Sequence, residues 1–238
     1  MDNNVTSFYR ASSNVGVVDA DLRQYMLRVF SYMAVGLGLT AVVAYFVGHS
    51  AAMMSMVFSS PGLILGLAVI ELGLVLYLSA RISSMSVDQA KFLFLVYSAI
   101  NGVTLAPIFV IYTGVSITTT FFVAASMFLS MVVYGYVTDK DLTSFGSFLI
   151  MGLIGLIIAS VINIFLHSSV ASLVISAIGV VLFTGLTAYD AQRIKSMYFE
   201  GDAVATSQKK AIFGALCLYL DFINLFIHLL KFVGVRRD

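Results

Sequence analysis

Three long stretches of this chain contain no Asp, Glu, Lys or Arg: residues 29–70, 92–138 and 142–189, which are 42, 47 and 48 residues long. A helix needs about 20 apolar residues to cross a hydrocarbon core of about 30 Å. Each run is therefore long enough for two crossings and a turn. Turn-forming residues fall near the middle of each: Gly48-His49-Ser50 through Pro61-Gly62, Thr113-Gly114, and His167-Ser168-Ser169. The pattern predicts three helical hairpins, with spans near 28–47, 61–80, 92–112, 115–137, 144–166 and 170–190. A seventh apolar stretch, 211–232, follows a polar loop over 191–210. Inside a bilayer such spans must be helical, because an open strand leaves backbone groups without partners. The fold class is an all-α integral membrane protein with seven transmembrane helices.

Composition agrees. Only 11% of residues are charged, against about 25% in a soluble domain. The organisation expected is a polar tail over 1–24, one transmembrane domain over 25–232 and a short tail over 233–238. No secretory signal is legible in the polar residues 1–24. A net charge of +1 gives no basic patch for nucleic acid, and a single cysteine, Cys217, excludes an internal disulfide and a multi-cysteine metal site. No cofactor is expected.

Lys and Arg set the orientation. Arg10, Arg23, Arg28, Arg81, Lys91, Lys140, Arg193, Lys195, Lys209 and Lys210 all fall on one side of the predicted spans, and the three hairpin turns hold none. The N-terminus is therefore expected in the cytoplasm. With span seven crossing, the C-terminus and Lys231, Arg236 and Arg237 lie outside. A re-entrant span seven would return them to the cytoplasmic side.

The polar residues within the spans carry the functional signal. An ionised side chain at mid-bilayer costs about 2.5–3.5 kcal/mol on insertion scales, and such groups usually face the bundle interior or a wet cavity. In span seven, Gly214, Cys217, Asp221, Asn224 and His228 recur at steps of three and four, so they share one helical face. Asp221 is the central acid of that face, with Asn224 and His228 as its supporting polar groups. A neutral Asp221 acting as interhelical glue is the plainer reading. Glu71 lies in the middle of span two, and Asp190 ends span six in GLTAYDAQRIK. Pro107, in NGVTLAPIF, predicts a kink in span three. Gly62, Gly66, Gly152 and Gly155 read as small faces for close helix approach.

The motifs GLTAYDAQRIK and CLYLDFINLF, with IELG in span two and NGVTLAPIF in span three, resemble the transmembrane Bax-inhibitor-motif family, also called the Bax inhibitor or lifeguard family. The short tails are similar to those of its bacterial members. The resemblance implies three hairpins arranged around a central C-terminal helix, and a pH-sensitive calcium leak channel in which two aspartates share a proton. Those aspartates map onto Asp190 and Asp221, which would also be transient Ca²⁺ ligands. It further implies a basic latch from span two, for which Arg81 is the candidate, and an outer latch from Glu71 and Lys231. Calcium ions, protons and the lipid bilayer are the implied partners, the plasma (bacterial inner) membrane the implied location, and Ca²⁺ the transported ion.

The chemistry is consistent with that expectation. Calcium takes several oxygen ligands, often carboxylates. Two adjacent carboxylates resist simultaneous ionisation and titrate as a pair. Deprotonation would create an anionic site that admits Ca²⁺, so acid would suppress the leak. The alternative sign, with acid breaking an Arg81–carboxylate bond and opening the path, stays open from sequence. One count stands against a simple pair. Asp221 lies ten residues into span seven, about 15 Å of helix, whereas Asp190 ends span six. The acids meet only if span six continues past Asp190 or the last helix is displaced toward the cytoplasm.

An enzyme is not expected. Intramembrane aspartyl proteases also pair two aspartates, but their Gly-x-Gly-Asp motif is replaced here by Leu218-Tyr219-Leu220-Asp221. Two other readings remain. One is a regulatory protein that binds another membrane protein, a protease or a death-pathway component. The other is a proton-coupled cation exchanger.

Overall fold

Each predicted span is helical, the third as two helices, in the computed structural model, which describes residues 3–237 and the side chains of residues 20–60 and 62–237. In chain order the helices are α1 (Asn3–Gly48), α2 (Ala51–Phe58), α3 (Pro61–Arg81), α4 (Val87–Leu105), α5 (Ile108–Ile111), α6 (Gly114–Val137), α7 (Thr143–Leu166), α8 (Ser169–Ser196) and α9 (Val204–Val233). Among the described residues, seven segments are long and apolar enough to cross a membrane: 20–48, 62–81, 87–111, 114–137, 143–166, 169–196 and 204–233. From Asn3 onward, the expected N-terminal tail is continuous with α1.

Local chemistry explains the boundaries. The third span starts at Val87, earlier than its charges suggest, because Ser86 and Gln89 form a reciprocal capping box and Asp88 sits at the positive end of the helix dipole. Pro107 divides that span into α4 and α5, as its missing N–H requires. Ser50, Thr113 and Ser168 each accept a backbone N–H at the start of α2, α6 and α8. The turn expected between spans one and two contains α2, a short helix with no buried residue.

α9 is the centre. It packs against α1, α4, α6 and α8, while α3 lies outside on α4 and α7 lies outside on α8. Of the consecutive spans, α3 packs on α4, α7 on α8 and α8 on α9, whereas α1 packs chiefly on α4 and α6 chiefly on α8, each passing over the span next to it in the chain. Leu218, Tyr219 and Leu225 of α9 are wholly buried, whereas Leu65 of α3 and Phe148 and Ile164 of α7 are among many apolar side chains turned outward. That inversion is what a lipid solvent favours.

Helices in lipid associate through close packing and polar contacts, and glycine provides the closeness here. A β-carbon on Gly102 would lie 2.7 Å from the Thr40 carbonyl oxygen, and one on Gly36 would lie 2.6 Å from the Phe94 ring. One on Gly135 would collide with the Ala188 carbonyl. These positions join α1 to α4 and α6 to α8. The glycines expected to do so behave differently: Gly66 and Gly155 face open space, Gly62 meets only Ser60, and Gly152 alone packs on a neighbour, Leu182.

The C-terminal residues fold back on the turn between α5 and α6. Thr113 donates its N–H to the Val235 carbonyl at 3.1 Å, Arg237 donates to the Ile111 carbonyl at 2.9 Å, and Tyr112 and Arg236 form an isolated antiparallel bridge. α9 therefore runs the full depth of the bundle. Its start follows the 197–203 loop on the basic side, and its end joins the opposite side.

Candidate functional site

α8 and α9 both run past their predicted ends, α8 to Ser196 and α9 back to Val204. Asp190 thus lies within a helix, with almost two turns beyond it. This overrun resolves the difference in depth, and the Asp190 and Asp221 carboxyls are neighbours across the α8–α9 interface. Asp221 is 5% exposed, and its Oδ2 is buried with no hydrogen-bond partner. A buried acceptor without a partner is costly, and the neighbouring Asp190 carboxyl is the group placed to share a proton with it.

The shared face of α9 sets this geometry. Gly214 lets Ile194 of α8 approach to 2.9 Å of a would-be β-carbon, and at the other end His228 lies against Gly179 of α8. Between these contacts, Cys217, Asp221 and Asn224 face a cavity of about 710 Å³. Its walls come from α3, α4, α7, α8 and α9, and Glu71, Asp190, Arg193 and His228 also line it. On α7 the lining runs from Ile150 to Ile164, about 21 Å of helix.

Arg193 is the cation beside the pair. It lies one turn after Asp190, with Nη1 3.9 Å from Oδ1, and its guanidinium stands 5.8 Å from the Phe213 ring centroid. A second cavity of about 300 Å³ opens on the basic side, lined by Asp139, Lys140, Asp141, Thr143, Tyr189, Gln192, Arg193 and Ser196. Tyr189 and Arg193 line both cavities, so they form the partition between them. Tyr189 fits there because its ring occupies the space of an absent side chain on Gly146. Gln192 holds the outer wall: its side chain accepts from Leu142 N and donates to the Lys140 carbonyl, both at 2.8 Å.

The expected latches are placed differently. Arg81 is exposed at the end of α3, and among the described residues the ion pairs join Arg193 to Asp190 and Lys210 to Asp202; neither Arg81 nor Lys231 takes part. Glu71 accepts a 2.6 Å hydrogen bond from Thr104 Oγ1. Behind it lies a brace that sequence reasoning did not assemble. Tyr219 Oη is 2.6 Å from Thr40 Oγ1 and donates to Asn101 Oδ1 at 3.1 Å, and Thr40 donates to the Ser98 carbonyl at 2.8 Å. The signal was present: Ser98, Asn101 and Thr104 follow one another every three residues on an otherwise apolar span.

Among the described residues no three His, Cys, Asp or Glu side chains cluster as a metal site. Two adjacent carboxyls give at most a weak cation site by protein ligands alone.

A family model described as inhibitor of apoptosis-promoting Bax1 matches residues 22–238. The chain belongs to the Bax inhibitor family. Its relatives in that family include inner membrane protein YbhL of Escherichia coli strain K12, 47% identical over 220 residues, covering 92% of this chain and 94% of that protein. An uncharacterized protein of Rickettsia prowazekii, RP147, is 47% identical over 221 residues, covering 92% and 93%. One from Borreliella burgdorferi is 46% identical over 216 residues, covering 90% and 93%. The membership fits the seven crossing helices and the polar line of α9.

Proposed function

We propose that this chain is a pH-gated leak path for Ca²⁺ in a bacterial inner membrane, with Asp190 and Asp221 as the proton-sensing pair. The observation that carries it is the unpartnered Oδ2 of Asp221, buried inside the helix bundle beside a second carboxyl and facing a cavity. The inner-membrane location follows the name of the Escherichia coli relative. The cytoplasmic N-terminus follows the ten basic residues on one side.

The mechanism uses only groups in place. A proton shared by the pair leaves one negative charge, and the Arg193 guanidinium offsets it. A cation then gains little by entering. Loss of that proton leaves two negative charges against one positive charge, and the cavity attracts Ca²⁺. Acid therefore suppresses flux. Two carboxyls without a full oxygen cage hold the ion briefly, as conduction requires. On this reading Arg193, and not Arg81, is the basic partner, and Tyr189 with Arg193 separates the basic-side vestibule from the ion site. The chain conducts and does not catalyse.

The test is Ca²⁺ entry into proteoliposomes between about pH 5.5 and about pH 8.5, with the midpoint read as a property of the pair and not of either carboxyl. Wild type should show a midpoint, with flux rising with pH, and Asp190→Asn or Asp221→Asn should flatten it. Equal flux in all three proteins would assign the pair to helix packing and leave binding of another membrane protein as the function.

A further inference from the structure

The main cavity lacks one wall. α3 packs on α4 and α7 packs on α8, but α3 and α7 make at most slight contact with each other, and the cavity lies between them. Leu72, Ile157 and Ile164 line it and are 61%, 55% and 64% exposed, so they form a rim. These residues sit in membrane-crossing segments. The opening therefore faces hydrocarbon, not water. A hydrated ion entering from the vestibule has no use for it.

The interior has a distinct chemistry. A volume of about 710 Å³ is the size of a small-molecule site. The walls are mainly apolar, and a buried carboxyl oxygen is left free among them. Asp221 Oδ2 has no partner, and neither does His228 Nδ1. Glu71 adds a carboxyl, and the fixed positive charge, Arg193, stands at the Asp190 end.

We propose that this cavity binds an amphipathic amine that enters sideways from the bilayer. The neutral amine dissolves in lipid, enters between α3 and α7, and takes the proton shared by Asp190 and Asp221. The N–H bond forms as the O–H bond breaks, so the ammonium and the carboxylate arise together and no free charge crosses hydrocarbon. The ammonium donates to Asp221 Oδ2, and its apolar body lies on Leu153, Leu156 and Phe183. Bound there, it occupies the ion path. That last consequence rests on the leak reading; the binding does not.

The probe is radiolabelled 4-octyl-N,N-dimethylbenzylamine, with 4-octylbenzyl alcohol as its neutral counterpart. Uptake by protein-loaded nanodiscs is measured in excess of empty nanodiscs. The expected result is saturable amine binding, no saturable alcohol binding, and a loss of at least about tenfold in Asp221→Asn, the scale of one charge-assisted hydrogen bond. Ile157→Trp, which narrows the rim without touching the acids, should slow uptake, and it decides alone if Asp221→Asn does not fold. Non-saturable uptake, equal binding of the alcohol, or unchanged binding in the variants overturns the site. Saturable binding that leaves a pH-dependent Ca²⁺ flux unaltered keeps the site and overturns its place on the ion path.

Discussion

The imidazole of His228 occupies the space where a side chain on Gly179 would stand. A β-carbon there would lie 2.5 Å from the ring carbon and Nδ1, and the ring is stacked on Phe183 at 5.6 Å between centroids. This contact fixes the outer half of the polar face of α9 against α8.

Gly179→Ala should therefore force the ring out of its slot and destabilise the bundle by about 1–3 kcal/mol, the usual range for overpacking. His228→Ala empties the slot, so the double variant should recover most of the loss. Thermal unfolding of the two single variants and the double variant in one detergent gives the coupling directly. Additive losses would show that the contact is incidental.

Arg193 and Arg81 differ sharply in surroundings, although both are exposed. Arg193 touches Asp190 and Phe213, whereas Arg81 has no ion-pair partner among the described residues. Arg193→Gln should raise Ca²⁺ flux at acidic pH by about tenfold, because the charge that offsets the half-protonated pair is gone. Arg81→Gln should change it little. The reverse ranking in proteoliposome flux would return the latch to α3.

Asp141 lies outside the membrane spans, in the vestibule wall. The Thr143 side chain and then its backbone N–H, at 2.9 Å, hold the Asp141 carboxyl below its usual range. It stays ionised through neutral and mildly acidic pH, so it attracts cations but senses no proton there. Asp141→Asn should lower flux about two- to threefold at every pH, the scale of one screened surface charge. The midpoint should not move. A shifted midpoint would place part of the pH sensor in the vestibule.

The folded-back C-terminus gives a prediction that concerns stability alone. Deleting residues 235–238 removes the Thr113–Val235 and Arg237–Ile111 hydrogen bonds and the bond from Val235 N to Ser116 Oγ, and should cost about 1–2 kcal/mol. The readout is the midpoint of thermal unfolding. Tags at the two ends should also be cleaved by protease from opposite faces of sealed vesicles. Cleavage from one face would mean that α9 turns back.

The number of crossings was legible because charge is the most expensive thing to place in lipid, and the uncharged runs stand out at once. Helix ends were not legible for the same reason. Arg193, Lys195, Lys209 and Lys210 read as loop, yet α8 and α9 continue through them, since a helix in water tolerates the charges that a helix in lipid excludes. That hidden continuation brings Asp190 and Asp221 together. The acid face of α9 was visible in its spacing. The choice between Arg81 and Arg193 was not, because it depends on which helix α8 lies beside. Gly102 and Gly135 were passed over for Gly66 and Gly155, since a small residue permits an approach and cannot say from which side the neighbour comes.

α9 is the core of the bundle and also the last of the seven crossing segments in chain order, so the ribosome makes it after the other six. Six helices enter the membrane before the one that fills their centre exists. Until Val204–Val233 arrives, the partners of Tyr219 on α1 and α4, and Asp190 on α8, face an unfilled seam. A message cut short before residue 204 does not encode a smaller bundle. It encodes a shell with its polar lining turned toward lipid, the kind of product that membrane quality control removes.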